Sequence, residues 1–166
     1  MYRHRQISLR PHLICAPGSG GHIGPLPNLP AAVERTLGAI PLGVSIDFDP
    51  WSTTNEIDPA VPGLLPVAIH GSSILTGDSY DFDATQVDLS TLRFGPAQAS
   101  NVATPLVGDI DGDTNIDIIV AFRAEQSGIA CDDPELNLAG QTYAGTPFAG
   151  TDAITTINCD DGSCHP

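Results

Sequence analysis

The sequence predicts an all-β protein, an antiparallel β-sandwich with an extended N-terminal segment. Seventeen glycines and fifteen prolines among 166 residues are too many for a helical protein and suit short strands joined by turns. From Val44 onward, runs of branched apolar residues alternate with turn signals such as Pro62-Gly63. A hydrophobic content of 41% is enough to build the core of one domain.

Seven segments carry the strand pattern, and about this number of short strands is typical of a sandwich. Branched and aromatic residues mark each of them, and glycine, proline, aspartate or asparagine lies between them. They are residues 44–48, 64–70, 86–89, 91–94, 116–122, 136–143 and 153–158. We assign residues 44–166 to the sandwich.

Residues 1–43 differ from the rest and form a predicted N-terminal extension. Apolar and polar residues alternate near its start, which is the period of a half-buried strand. The apolar positions are Ile7, Leu9, Pro11 and Leu13. A proline lacks a backbone donor, so this strand belongs at an edge or in an added position. A linker (residues 18–30) and a short helix (residues 31–37) follow.

An acidic loop, residues 109–117, carries the pattern that a hard cation needs. Carboxylate or amide oxygens occur at alternate positions, as Asp109, Asp111, Asp113, Asn115 and Asp117. Calcium takes six to eight such oxygens at about 2.3–2.6 Å. Without a cation, two carboxylates about 4 Å apart repel by about 4 kcal/mol at an effective dielectric of about 20. The sequence therefore predicts a calcium site.

This loop is not an EF-hand, which needs glycine at its sixth position and a bidentate glutamate at its twelfth. Those positions hold Thr114 and Val120. The spacing resembles the calcium loops of integrin-type propeller blades, but a propeller needs several blades and the chain has one such loop. We therefore expect a calcium-stabilised turn within another β fold.

The charge distribution is strongly asymmetric. The net charge is −14, which disfavours a nucleic-acid partner because phosphate binding needs a basic patch. Residues 1–33 carry three arginines and no acidic residue, whereas residues 34–166 carry a net charge of −17. The basic head of one molecule could therefore dock on the acidic body of another, or it could be a free basic tail.

The four cysteines indicate an oxidising setting. Cys15, Cys131, Cys159 and Cys164 permit three pairings, and no Cys-x-x-Cys motif is present. Disulfides and calcium together indicate an extracellular or cell-surface location. Residues 1–17 lack the apolar stretch of a signal peptide, so this location is inferred from the cysteines and the loop. No apolar run is long enough to predict a membrane span.

Residues 44–159 resemble a module common in secreted and cell-surface bacterial proteins. The matching blocks occur in a fixed order and include residues 46–50, 66–69, 82–88, 91–96, the acidic loop, 127–132 and 145–152. The chain departs from the module at Asp49-Pro50-Trp51 and at Thr114, where glycine is common. Residues 1–43 match no part of it.

The resemblance implies an immunoglobulin-like sandwich that is stabilised by calcium and by a Cys131–Cys159 bridge. Cys15 and Cys164 would then remain to pair, within one chain or between chains. The resemblance implies no catalytic activity, and it implies that related proteins occur as protomers of extracellular fibrils.

No catalytic constellation emerges from the residues, and we predict that the chain is not an enzyme. There is no Gly-x-Ser-x-Gly elbow. His70 is interpreted as an ordinary histidine of a sheet. Asp78, Asp81 and Asp83 could act as acid and base on a glycoside, but their setting is that of a polar loop.

Two functions remain. The first is a structural subunit of an extracellular fibril, a helical homo-oligomer in which the N-terminal strand of one copy is donated to the next. The second is a carbohydrate-binding or accessory module of a secreted protein, for which Trp51 and Tyr80 could stack on a glycan.

Overall fold

The computed structural model describes residues 39–159 and contains ten strands, most of them in two four-stranded sheets. The strands are β1 (Leu42–Gly43), β2 (Ile46–Phe48), β3 (Glu56–Ile57), β4 (Leu64–Ile69), β5 (Arg93–Phe94), β6 (Leu106–Gly108), β7 (Asp117–Arg123), β8 (Glu135–Gln141), β9 (Pro147–Ala153) and β10 (Thr155–Thr156). A one-turn helix, α1 (Ala124–Ser127), follows β7.

The strand order confirms the predicted sandwich. The first sheet has the order β1-β9-β8-β5, and the second has the order β2-β4-β7-β6. If β2, β4, β7 and β6 are strands A, B, E and D and β5, β8 and β9 are C, F and G, this is the immunoglobulin arrangement of ABED on CFG. Pairing within both sheets is antiparallel except for β1 on β9, and β3 and β10 form a separate two-stranded parallel pair.

The core lies between the two sheets. Phe94 of β5 stacks on Phe122 of β7 with ring centroids 4.5 Å apart, so this contact joins the first sheet to the second. Phe148 of β9 meets Phe82 edge to face at 5.4 Å. Gly150 of β9 has no side chain because a Cβ there would lie 2.6 Å from the Val44 carbonyl oxygen.

Strands β4, β7 and β8 match the prediction, and the differences elsewhere have local causes. Residues 86–89 were predicted as a strand, which is wrong: two 3₁₀ turns lie at Ala84–Gln86 and Leu89–Thr91. The side chains of Asp83 and Asp88 cap these turns by accepting hydrogen bonds from the backbone N–H groups of Thr85 and Ser90.

Strand β9 was not predicted, because Pro147 and Gly150 interrupt its apolar pattern. Strands β3 and β6 are two and three residues long and were also missed. The division of the chain at residues 43 and 44 stays a prediction, since residues 1–38 lie outside the described residues. Leu42–Gly43, at that boundary, pairs with β9.

A disulfide joins Cys131, before β8, to Cys159, after β10, as the resemblance implies. The bridge closes a segment with a sequence separation of 28 residues that contains β8, β9 and β10. It therefore links the two segments that flank the β8–β9 hairpin.

We expect the Cys131→Ala/Cys159→Ala variant to lose about 3–4 kcal/mol of unfolding free energy, because a loop of this length is no longer closed in the unfolded chain. Urea denaturation of the variant and the unreduced wild type measures the difference. A Cys15→Ala variant, which keeps this bridge, is the control. Equal denaturation midpoints for the double variant and the wild type would contradict the expectation.

Candidate metal centre

The acidic loop connects β6 to β7, and its two ends are held side by side. Gly108 and Asp117 are register partners in the antiparallel β6–β7 pair, so residues 109–116 leave the sheet and return to it at the same level. The loop is therefore closed at its base.

Hydrogen bonds between loop carboxylates and later backbone groups wind the loop. The Gly112 N–H donates to Oδ1 of Asp109 at 2.8 Å, and the Asn115 N–H donates to Oδ1 of Asp113 at 2.7 Å. Gly112 and Thr114 both have positive φ, 84° and 78°. One carboxylate oxygen from each of Asp109, Asp111 and Asp113 lies within 4.8 Å of the others.

This donor set fits calcium. Ligands at about 2.3–2.6 Å from one ion are separated by no more than about 5 Å, and the three carboxylates meet that limit. Hydrogen bonds from the side chain and then the backbone of Asn115 hold the pKa of Asp113 below its ordinary value, so this group stays ionised. Binding of calcium by these residues stays a prediction.

The other two predicted ligands have different positions. The Asn115 side-chain nitrogen donates to Oδ2 of Asp113 at 2.8 Å, so this residue braces the loop. Asp117 is fully buried, and its two oxygens accept hydrogen bonds from the backbone N–H groups of Gly71 (2.8 Å) and Ile110 (2.7 Å). A carboxylate oxygen of Asp117 lies within 4.8 Å of ligand atoms of Asp111 and His70, and Asp117 is not part of the cluster that contains Asp109 and Asp113.

His70 is the functional candidate that the sequence analysis missed. It follows the last residue of β4, and only 10% of its side chain is exposed. Its Nδ1 is buried and has no hydrogen-bond partner among the described residues, yet it lies 3.4 Å from Asp111 Oδ2 and 3.5 Å from Asp117 Oδ2. Asp111 and Asp117 follow His70 by 41 and 47 positions, and nothing in the sequence around His70 indicates that they lie beside it.

The acidic residues at 78–83 organise a loop, as the polar-loop interpretation expects. Asp78 accepts a hydrogen bond from the Ser73 N–H, and Asp81 accepts one from the Ile74 N–H, both at 2.9 Å. Their carboxylates therefore hold the backbone at Ser73 and Ile74.

Several predicted residues lie outside the described part of the chain. They are the candidate assembly strand Ile7, Leu9, Pro11 and Leu13, the cysteines Cys15 and Cys164, and the short helix at residues 31–37. Within residues 39–159, no helix has the length and apolar character needed to cross a membrane.

Comparisons with known proteins assign no family. No protein-family model and no curated protein matches the chain. Among solved structures, the chain is similar to AggA, the major subunit of aggregative adherence fimbriae type I from Escherichia coli, at 9% sequence identity. That alignment covers 68% of this chain and 94% of AggA with a TM-score of 0.21, which is too low to support an inference.

Thr114 carries strain that glycine would relieve. A branched residue at a φ of 78° costs about 1–3 kcal/mol, and glycine has no such penalty but loses about 0.5–1 kcal/mol in backbone entropy. We therefore expect Thr114→Gly to stabilise the protein by about 1 kcal/mol.

Thermal melting measures this effect, and Thr146→Gly is the matched control. Thr146 is also exposed, but it is not among the described residues with positive φ, so its replacement should lower the melting temperature. A Thr114→Gly variant that melts below the wild type would contradict the strain argument.

Proposed function

We propose that this chain is a structural subunit of an extracellular fibril or surface assembly. Its copies are joined by the N-terminal strand, and the sandwich of each copy is stabilised by calcium and disulfides. The observation that carries the proposal is an apolar strand edge at β6 with which no other strand within residues 39–159 pairs.

Strand β6 is the outermost strand of the second sheet, with β7 on one side only. Leu106 and Val107 are each 60% exposed, although they are successive residues that point to opposite faces. No hydrogen bond from another segment within residues 39–159 reaches the outer side of β6. Such an edge presents free N–H and C=O groups to an added strand.

Two other outermost strands are partly covered. Phe94 of β5 exchanges two backbone hydrogen bonds with Ala99, at 3.0 and 2.8 Å. The Phe48 N–H of β2 donates to Oδ2 of Asp152 at 2.8 Å. The fourth, β1, is two residues long. Strand β6 is therefore the edge best suited to strand addition.

The N-terminal strand is a suitable donor on pattern and charge. Its apolar residues alternate with polar ones, and residues 1–33 carry three arginines and no acidic residue. Strand β6 runs directly into the acidic loop, which places carboxylates at the end of the acceptor edge. Electrostatic attraction would therefore orient the incoming strand.

The added strand extends an edge and does not complete the core. Strand β9 of the same chain pairs with β8 over seven residues and buries Phe148 in the core. The sandwich therefore does not need a strand from another copy to complete its core. A contact between the head of one copy and β6 of the next is heterologous, so it propagates as a filament unless the rotation between copies closes a ring.

Calcium at the acidic loop would stabilise the sandwich close to this edge. The ion would neutralise the carboxylates of Asp109, Asp111 and Asp113, whose mutual repulsion otherwise opposes the wound loop. Because Gly108 of β6 directly precedes Asp109, ordering the loop also orders the acceptor edge.

Removing calcium should lower the melting temperature by several degrees, since a ligand at about 100 times its Kd stabilises the folded state by about 2.7 kcal/mol. Differential scanning calorimetry with calcium and with EDTA measures the shift. The Asp109→Asn/Asp113→Asn variant should show no shift, whereas Asp132→Asn, outside the loop, should respond as the wild type does. Identical curves for wild-type protein refolded in EDTA and in calcium would overturn the calcium assignment.

Deleting residues 1–16 or introducing Val107→Lys should abolish filaments, because the first removes the donor and the second places a charge on the acceptor edge. Val61→Lys is the matched control, since Val61 is 57% exposed but lies outside the strands. Negative-stain electron microscopy at equal concentrations is the measurement. Filaments formed by the truncated protein would exclude the N-terminal strand as the donor, and filaments formed by Val107→Lys would exclude β6 as the acceptor.

The alternative, a carbohydrate-binding module, is favoured by exposed aromatic rings. Trp51 is 67% exposed and Tyr143 is 68% exposed, and such faces can stack on sugar rings. A wild-type protein that stays monomeric and is retained on a glycan array, with loss of retention in Trp51→Ala, would support this function in place of assembly.

A further inference from the structure

His70, Asp111 and Asp117 place three possible metal-ligand atoms within 4.8 Å of one another. The Asp111 and Asp117 Oδ2 atoms lie 3.4 and 3.5 Å from Nδ1 of His70. Both distances exceed the usual range for a hydrogen bond, and no hydrogen bond to this buried nitrogen is found among the described residues. A buried nitrogen that faces two carboxylates without a hydrogen bond is a favourable position for a bound cation.

We propose that these three residues bind a second divalent cation, of the zinc class, beside the calcium loop. In a tetrahedral zinc site with metal–ligand distances of about 2.0–2.1 Å, neighbouring ligand atoms are about 3.4 Å apart. The separations of Nδ1 from the two carboxylate oxygens match this edge length.

The ligand chemistry separates this site from the calcium site. Calcium takes oxygen ligands, whereas an imidazole nitrogen suits zinc, copper, iron and nickel. Asp109 and Asp113 belong only to the oxygen cluster, and His70 belongs only to the mixed cluster. Asp111 is common to both clusters, so its carboxylate lies between the two proposed sites.

The supporting contacts orient the ligands for metal binding. The backbone N–H groups of Gly71 and Ile110 fix both oxygens of the buried Asp117, as second-shell donors do in metal sites. The backbone N–H of His70 donates to the backbone carbonyl of Ser45 at 3.1 Å, and this bond holds the main chain of the residue whose imidazole supplies the nitrogen ligand.

The site opens into a cleft that gives an ion access. The cleft has a volume of about 270 Å³, and its lining includes His70, Asp111, Ser45 and Tyr80. Three protein ligands leave one position of a tetrahedral ion open to this cleft, where a water molecule can bind.

Zinc titration of the calcium-saturated full-length chain tests the proposal. In ¹⁵N spectra of the imidazole groups, zinc should shift the Nδ1 signal of His70 at one equivalent. By calorimetry, His70→Leu should lower the affinity of the tightest zinc site by at least about tenfold, as changes at metal sites typically do. His165→Leu, which alters a histidine outside the described residues, should keep the wild-type affinity.

The spectra keep the test decisive if His70→Leu fails to fold. A His70 Nδ1 signal that moves with pH but not with zinc would show a protonated histidine and overturn the proposal. Zinc that displaces calcium without moving this signal would also overturn it. Because calcium is saturating and filaments are not needed, this result is independent of the assembly and chelation experiments.

Discussion

The buried carboxylate of Asp117 is the constraint on which the rest of this region depends. A carboxyl group that is fully removed from water costs free energy unless its oxygens take part in hydrogen bonds. Its two partners are the N–H of Gly71, just after β4, and the N–H of Ile110, in the acidic loop. The first residue of β7 therefore determines where two neighbouring segments lie.

This constraint also places the two candidate cation clusters. Asp117 accepts hydrogen bonds from Gly71, which follows His70, and from Ile110, which precedes Asp111. These two bonds therefore bring Asp111 beside His70. The loop then winds outward through Asp109 and Asp113 toward solvent. At its other end the loop joins β6, so the proposed metal chemistry and the proposed acceptor edge belong to one continuous β6–loop–β7 unit.

Particular elements show how far local pattern reaches. Strands β4 and β7 were predicted nearly to the residue, since both contain runs of apolar residues that are mostly buried. Strand β9 has apolar residues interrupted by proline and glycine, and its extended form depends on seven register partners in β8. The turns at Ala84–Gln86 and Leu89–Thr91 arose because aspartate side chains compete locally for backbone donors in a segment with strand-like composition.

By itself, the sequence determined the all-β class, the sandwich and the convergence of Asp109, Asp111 and Asp113, because these features depend on alternation, turn residues and spacing within one short loop. Only the tertiary structure decided that Asp117 faces His70, that β6 has no second strand partner within residues 39–159 and that β9 pairs with β8 in the first sheet. These features depend on contacts between residues far apart in sequence, and the spacing of residues along the chain does not predict such contacts.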